Sequence, residues 1–253
     1  MKNLAIIQAR MGSSRLPNKV LKDLCGKPAL WHVINRVKKS KLIDEIIIAT
    51  TIEKQDLQIV KFCADNDIRV FVGSESDVLD RYYQAARLFK PENIIRITSD
   101  CPLHDAKIID NVIEKHMKED NDYTSNTLQP TFPDGLDCEV MKFSALENAW
   151  ENARMMSERE HVTQYLIKND VIKKGCLLNT VNRESERWTL DTDADYNFIN
   201  SIYNELYYTN PEFSTEDIYR LLAEKPEIRK INQGIIRNEG LLKSLSEDKM
   251  FEY

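Results

Sequence analysis

Glycine is scarce in this chain. Seven occur in 253 residues, and Gly12 is the only one before Gly26. Both the GxGxxG dinucleotide fingerprint and the GxxxxGKS/T phosphate loop need several glycines in one turn, so neither can be built at the first strand. Five cysteines occur without a CxxC pair, which excludes zinc-ligand spacing and a disulfide framework. They recur 37 or 38 residues apart, yet "DLCGK", "KFCADN", "SDCPL", "LDCEV" and "KGCLL" share nothing else, so no repeat is implied. No apolar run reaches the ~18–20 residues that cross a bilayer, and "MKNLAIIQAR" lacks the long apolar stretch of a signal peptide. A cytoplasmic protein without a membrane partner is expected. Positive charge is not in excess either: the net charge is −6, which argues against a general polyanion-binding surface and against nucleic acid as a partner. HExxH and cysteine-nucleophile signatures are also missing.

What is present is a rhythm. Short β-rich runs, "LAIIQ" (4–8), "EIIIAT" (45–50), "RVFVG" (69–73) and "NIIRITSD" (93–100), alternate with amphipathic stretches at 29–40, 54–67, 77–89 and 105–119. This pattern predicts an α/β fold with a mostly parallel sheet, right-handed crossovers and helices on both faces. The rhythm changes at 122–141, where "DYTSNT", "PTFPDG" and "LDCEVMKF" suggest a hairpin-like lobe over the sheet. Helices at 143–154 and 158–168, a strand at 176–181 and helices at 193–207 and 214–226 follow. Ser214 with Asp217 suits an acidic variant of the capping box. No linker interrupts the chain, so residues 1–253 read as one domain.

The first strand runs into "IIQARMGSSRLPNKVL" (6–21), a loop that places Arg10, Arg15 and Lys19 around Gly12, Ser13 and Ser14. In open α/β sheets ligands bind at the carboxyl ends of strands, and this is the first such end. Guanidinium groups clamp phosphate oxygens in pairs and an ammonium adds a compact charge, while Gly12 and Ser13 offer backbone N–H groups and a hydroxyl. A polyphosphate fits this set. A solvated charged loop is the alternative.

The same stretch resembles the signature, roughly A-R-x-x-S-x-R-x-P-x-K, of the cytidylyltransferases that make CMP-activated sugar acids, the acylneuraminate and 3-deoxy-manno-octulosonate group. The SpsF-type spore-coat polysaccharide branch is the part of that family it resembles most, over residues 4 to about 205. The resemblance implies a Rossmann-like three-layer nucleotide-diphospho-sugar transferase (GT-A-like) fold with a small extended dimerisation lobe at 122–165. It implies CTP and a sugar acid as substrates and a homodimer with its contact at about 124–165. It also implies that Arg10, Ser13, Arg15 and Lys19 contact the triphosphate, Lys19 near the α-phosphate.

A triphosphate rarely reacts without Mg²⁺, which binds through one or two carboxylates plus phosphate oxygens and waters. Asp100 follows the strand "IIRIT" and precedes Pro102; Asp191 and Asp193 stand with Asp195 in "RWTLDTDADY". Helix capping is the competing explanation for each, although Asp105 already suits the cap of the helix near Lys107. The resemblance matches Asp100 and Asp191 to metal-binding positions. In the family's late D-T-P-E-D-like motif this chain has Asp193 where proline stands, which makes Asp193 an extra candidate ligand or a surface charge.

Further candidates come from stretches resembling the SpsF-type branch. In "VGSESDVLDRYYQAA", Asp80 and Arg81 lie where related enzymes hold the nucleoside, but an Asp77–Arg81 pair one helical turn apart explains the pattern as well. Asp137 and Glu139 in "PDGLDCEV", and Arg159, Glu160 and His161 in "SEREHVTQYL", match stretches near the sugar pocket or dimer contact. A structural histidine is an equal reading of His161. The function expected is transfer of CMP from CTP to a sugar acid, with release of pyrophosphate. The alternatives are a nucleotidyltransferase using another NTP or a phosphorylated acceptor, a GT-A-type glycosyltransferase, and a non-catalytic sugar-nucleotide sensor.

Overall fold

The computed structural model describes residues 1–251. Its first half follows the predicted alternation: β1 (Asn3–Gln8), a small hairpin of β2 (Asp23–Leu24) and β3 (Lys27–Pro28), α1 (Ala29–Val37), β4 (Glu45–Thr51), α2 (Leu57–Asp65), β5 (Arg69–Gly73), α3 (Val78–Phe89), β6 (Asn93–Thr98) and α4 (Ala106–Glu119). Asp77 and Asp105 cap α3 and α4, accepting from the backbone N–H groups of Asp80 and Lys107. The second half runs β7 (Tyr123–Ser125), β8 (Glu139–Lys142), α5 (Phe143–Asn152), α6 (Met156–Glu160), α7 (Gln164–Lys168), β9 (Lys174–Cys176), α8 (Asp193–Leu206), α9 (Thr215–Glu224), α10 (Pro226–Arg229) and α11 (Glu239–Ser246).

Seven strands form one sheet in the order β5-β4-β1-β6-β8-β7-β9, with β8 antiparallel to both of its neighbours. Strands β1, β4 and β5 wind in one direction, and the chain then returns to place β6 on the other side of β1. The strand order therefore reverses at β1, and a crevice opens at the carboxyl ends of β1 and β6. Alternation of side chains divides the strands between two cores. Ala5, Ile7, Ile95 and Ile97 pack against α1 and α4, while Leu4, Ile6 and Ile94 pack with Tyr82 and Ala86 of α3 and Leu146 of α5. These three layers are the expected α/β architecture. Tyr82 fastens the centre, its hydroxyl lying within hydrogen-bond reach of the carbonyls of Ile6 and Ile97 at 3.2 and 3.3 Å. A third core, around Trp188, Leu190, Phe198, Ile202, Phe213 and Leu222, holds the late helices against Leu16 and Leu103.

The later elements depart from the sequence reading in three places. The extended pieces expected in a lobe over the sheet are β7 and β8, strands of the sheet itself, because Tyr123–Ser125 and Glu139–Lys142 find partners there. The helix expected at 158–168 is two short helices, broken where Val162 takes φ 60°. The strand expected at 176–181 is Lys174–Cys176, since its partner β7 is only three residues long. Ser214 and Asp217 do form the capping box at the start of α9. No helix among the described residues is long and apolar enough to cross a membrane.

Candidate active site

The loop after β1 is held by its apolar and backbone groups, and its cations turn toward a cleft. Met11, Leu16 and Val20 are buried. Ala9 N–H donates to the Ala49 carbonyl at 3.1 Å, and Met11 N–H donates to the buried Asp56 carboxylate at 2.6 Å. Ser13 Oγ accepts from Leu16 N–H at 3.2 Å, so its oxygen shapes the turn. Asn18, at φ 58°, starts a 3-10 turn over Lys19–Leu21. With the loop fixed in this way, Arg10, Arg15 and Lys19 line a cleft of about 700 Å³, within the size range of small-molecule sites. Gly12 and Ser13 are not part of the cleft lining.

Lys19 joins two distant carboxylates. Its Nζ lies 2.9 Å from Asp100 Oδ2 and 2.7 Å from Asp191 Oδ1, and its side chain is 14% exposed. Asp100 ends the run after β6, and its carbonyl accepts from Leu190 N–H at 2.7 Å, which ties the end of β6 to the segment carrying Asp191. Burial disfavours the charge on Lys19, but Asp100 and Asp191 outweigh it and hold the ammonium pKa above its ordinary value. Burial likewise opposes charge on Asp100, and Lys19 outweighs it to keep that carboxyl below the usual range. Arg15 adds a second cation, 3.2 Å from Asp191 Oδ2, and also pairs with Glu239 at 2.7 Å. Arg10 faces Glu75 at 3.4 Å.

The remaining predicted residues divide. Asp137 and Glu139 line the cleft. Burial raises the Asp137 carboxyl to about 7; Arg237 at 2.8 Å opposes this, and the neighbouring carboxylates of Asp134, Glu139 and Asp100 reinforce it. Glu139 accepts from Tyr123 Oη at 2.5 Å and Thr163 Oγ1 at 2.7 Å and pairs with Arg96. Glu160 and His161 stand at the rim, with burial lowering the His161 pKa. Arg81 lines the cleft from α3 and donates to the Ser74 carbonyl.

Besides Gly12 and Ser13, three predicted residues do not reach the cleft. Asp80 is turned toward Trp150, whose indole N–H donates to it at 2.8 Å, because stacking of Trp150 on Tyr83 packs α5 against α3. Arg159 is buried and grips Asp77, the cap of α3, through Nε at 3.0 Å to each oxygen, so its charge is spent on packing. Asp193 is exposed in the first turn of α8, and Asp195, fully buried, is the acid that turns inward.

Several site residues escaped the sequence reading. Asp134 and Arg187 line the cleft and pair at 2.9 Å, and the C-terminal segment supplies Asn238, Glu239 and Leu241 to the wall. Only Arg187 carried a local signal, lying one helical turn's spacing before Asp191 in "RWTLD". No group of three or more His, Cys, Asp or Glu able to hold a metal by itself occurs among the described residues.

The family model for cytidylyltransferases matches residues 4–218. The chain belongs to the cytidylyltransferase family. It is accordingly an enzyme of the nucleotidyltransferase class. Among curated relatives, the spore coat polysaccharide biosynthesis protein SpsF of Bacillus subtilis is 32% identical over 237 residues, covering 88% of this chain and 95% of that one. A 3-deoxy-manno-octulosonate cytidylyltransferase of Geotalea uraniireducens is 30% identical over 175 residues, 68% of this chain and 67% of that one. The solved structure of a cytidylyltransferase from Leptospira borgpetersenii superposes with a TM-score of 0.87 at 32% identity, covering 94% of this chain and all of the other. The family match ends before α10 and α11, so the C-terminal wall of the cleft lies outside it.

Proposed function

We propose that this cytidylyltransferase transfers CMP from CTP to a hydroxyl of a sugar acid and releases pyrophosphate, in the biosynthesis of a surface glycan. The observation that carries this reading is the meeting of Lys19 with Asp100 and Asp191 at the mouth of the crevice beside β1 and β6. The kinship with a spore-coat polysaccharide protein and a 3-deoxy-manno-octulosonate cytidylyltransferase supports the sugar-acid acceptor.

The acceptor oxygen attacks the α-phosphorus, the bond from that phosphorus to the bridging oxygen of the β-phosphate breaks, and the hydroxyl proton passes to solvent. Such a transfer depends on positioning and charge stabilisation more than on covalent help. Arg10, Arg15 and Lys19 would bind the triphosphate and stabilise the charge gathering on the departing pyrophosphate. Arg81 would stand toward the nucleoside, and Asp137, Glu139, Glu160 and His161 toward the acceptor.

The donor set fits Mg²⁺. Two carboxylates converge on one cation, so their oxygens can be no farther apart than the sum of their distances to Nζ, and magnesium commonly takes two carboxylates with substrate phosphates and water. Asp100 and Asp191 would hold it. An ion held there would supply neutralisation of phosphate charge and would lower the pKa of a hydroxyl beside it. We further read residues about 124 to 165 as the contact of a homodimer, which analytical ultracentrifugation tests.

The deciding experiment incubates the protein with Mg²⁺, each of the four NTPs and a panel of nonulosonic and related sugar acids, and assays pyrophosphate. Release that requires CTP and an acid is the expected result. Release with UTP or GTP but not CTP, or none at all, overturns the proposal.

A further inference from the structure

Arg187 is the most heavily engaged cation of the cleft, with 7% of its side chain exposed. Its guanidinium meets three carboxylates from two parts of the chain. Nη1 lies 2.9 Å from Asp134 Oδ2; Nε and Nη2 grip Asp195 at 2.9 and 3.0 Å; Nη2 also lies 3.2 Å from Asp191 Oδ2. Asp195 in turn accepts from the backbone N–H groups of Asp191 and Thr192 at 3.1 and 3.0 Å. Asn232 closes the set, donating to Asp195 Oδ1 and to the Arg187 carbonyl at 2.9 Å each. The network therefore holds both the backbone of Asp191 and one of its carboxylate oxygens. The other oxygen is left to face Lys19.

We propose that Arg187 is a positioning residue that acts through Asp191, fixing the rotation of that carboxylate so that Oδ1 is presented to the cleft. The inference rests on the cytidylyl-transfer reading above and adds to it a residue outside the phosphate-gripping loop. Lysine cannot take the place of Arg187, because a compact ammonium lacks the planar fork that reaches three acids in different directions. A merely structural Arg187 would change the amount of folded protein and leave the folded fraction with wild-type properties.

The test compares the full chain with Arg187→Lys, Asp191→Asn and the double variant. Arg187→Lys is expected to lower kcat roughly 10- to 100-fold, the scale of a small misplacement of a reacting group. KM for CTP should rise by no more than the Mg²⁺-dependent tightening lost in the titration, because Arg10, Arg15 and Lys19 still bind the phosphates. The double variant should be no slower than Asp191→Asn, since an aim already lost cannot be lost again. Additive losses, or a folded Arg187→Lys with wild-type kcat, overturn the proposal. Calorimetric titration with CTP, with and without Mg²⁺, supplies a readout that needs no turnover. The tightening of CTP by Mg²⁺ should shrink in Arg187→Lys as it does in Asp191→Asn, and full wild-type tightening overturns the inference. If the wild type transfers nothing to any acid, the functional reading fails while the titration still decides about Arg187. An Arg187→Lys chain that does not fold identifies a structural hub and also overturns it.

Discussion

Lys19 Nζ and Asp191 Oδ1 meet at 2.7 Å although 172 residues separate them, and the same ammonium reaches Asp100 at 2.9 Å. The cation thus holds together two acids that would otherwise repel across a half-buried cleft. Replacing Lys19 by alanine removes this shared counter-ion and, on the proposed function, a phosphate contact as well. Pyrophosphate release should fall by about 10²–10³. Stability should fall by about 3 kcal/mol, as when one partner of a largely buried pair is deleted. Mg²⁺ should restore part of the lost thermal midpoint by taking the place of the ammonium. A Lys19→Ala chain with wild-type turnover would refute the assignment.

Glu239 occupies Arg15 at 2.7 Å, where a phosphate oxygen would have to bind, and its side chain is 61% exposed. An exposed pair of this kind contributes about 0–1 kcal/mol, so it competes weakly. Glu239→Gln should therefore lower KM for CTP by up to about five-fold with kcat little changed. An unaltered KM in initial-rate measurements would show that Glu239 does not compete with CTP for Arg15.

Asp137 should titrate near pH 7, because burial and three neighbouring carboxylates raise it from 3.8 to about 7 against the pull of Arg237. Its folded form holds the proton more tightly than its unfolded form. The stability this confers is present below about pH 4 and is lost as the pH rises to about 7. Asp137→Asn removes the titration, so unfolding free energies of variant and wild type should diverge in the variant's favour across that window, by on the order of 1–3 kcal/mol. Carboxyl carbon NMR reads the pKa directly, and an ordinary value near 4 would contradict the expectation.

Asp193 and Asp191 provide a paired control. Asp193 is exposed at the start of α8, whereas Asp191 meets Lys19, Arg15 and Arg187. Asp193→Asn should alter kcat by less than about two-fold, while Asp191→Asn should cost at least about 10². Equal losses in the two variants would return Asp193 to the site.

Much of the architecture was legible because its signals are local. Apolar alternation and helical spacing located β1, β4, β5 and β6 and the helices between them, and Asp105 and Ser214 stood as caps where their spacing indicated. The extended pieces at 122–141 were expected over the sheet because short runs such as Tyr123–Ser125 and Glu139–Lys142 do not reveal which strand they will pair with; Glu139–Lys142 pairs with β6 across a connection the local pattern does not encode. Arg159 and Asp80 drew attention through their motifs, yet their partners, Asp77 and Trp150, belong to other elements and commit them to packing.

The sequence by itself determined the α/β alternation and a first loop that carries Arg10, Arg15 and Lys19 at the carboxyl end of β1, because periodicity and turn chemistry act over a few residues. Tertiary structure alone decided that Asp100 and Asp191, and neither Asp193 nor Asp80, face Lys19, and that Arg187 and Glu239 join them. Those meetings depend on the reversal of strand order at β1 and on the packing of the late helices, which bring together side chains that no local pattern relates.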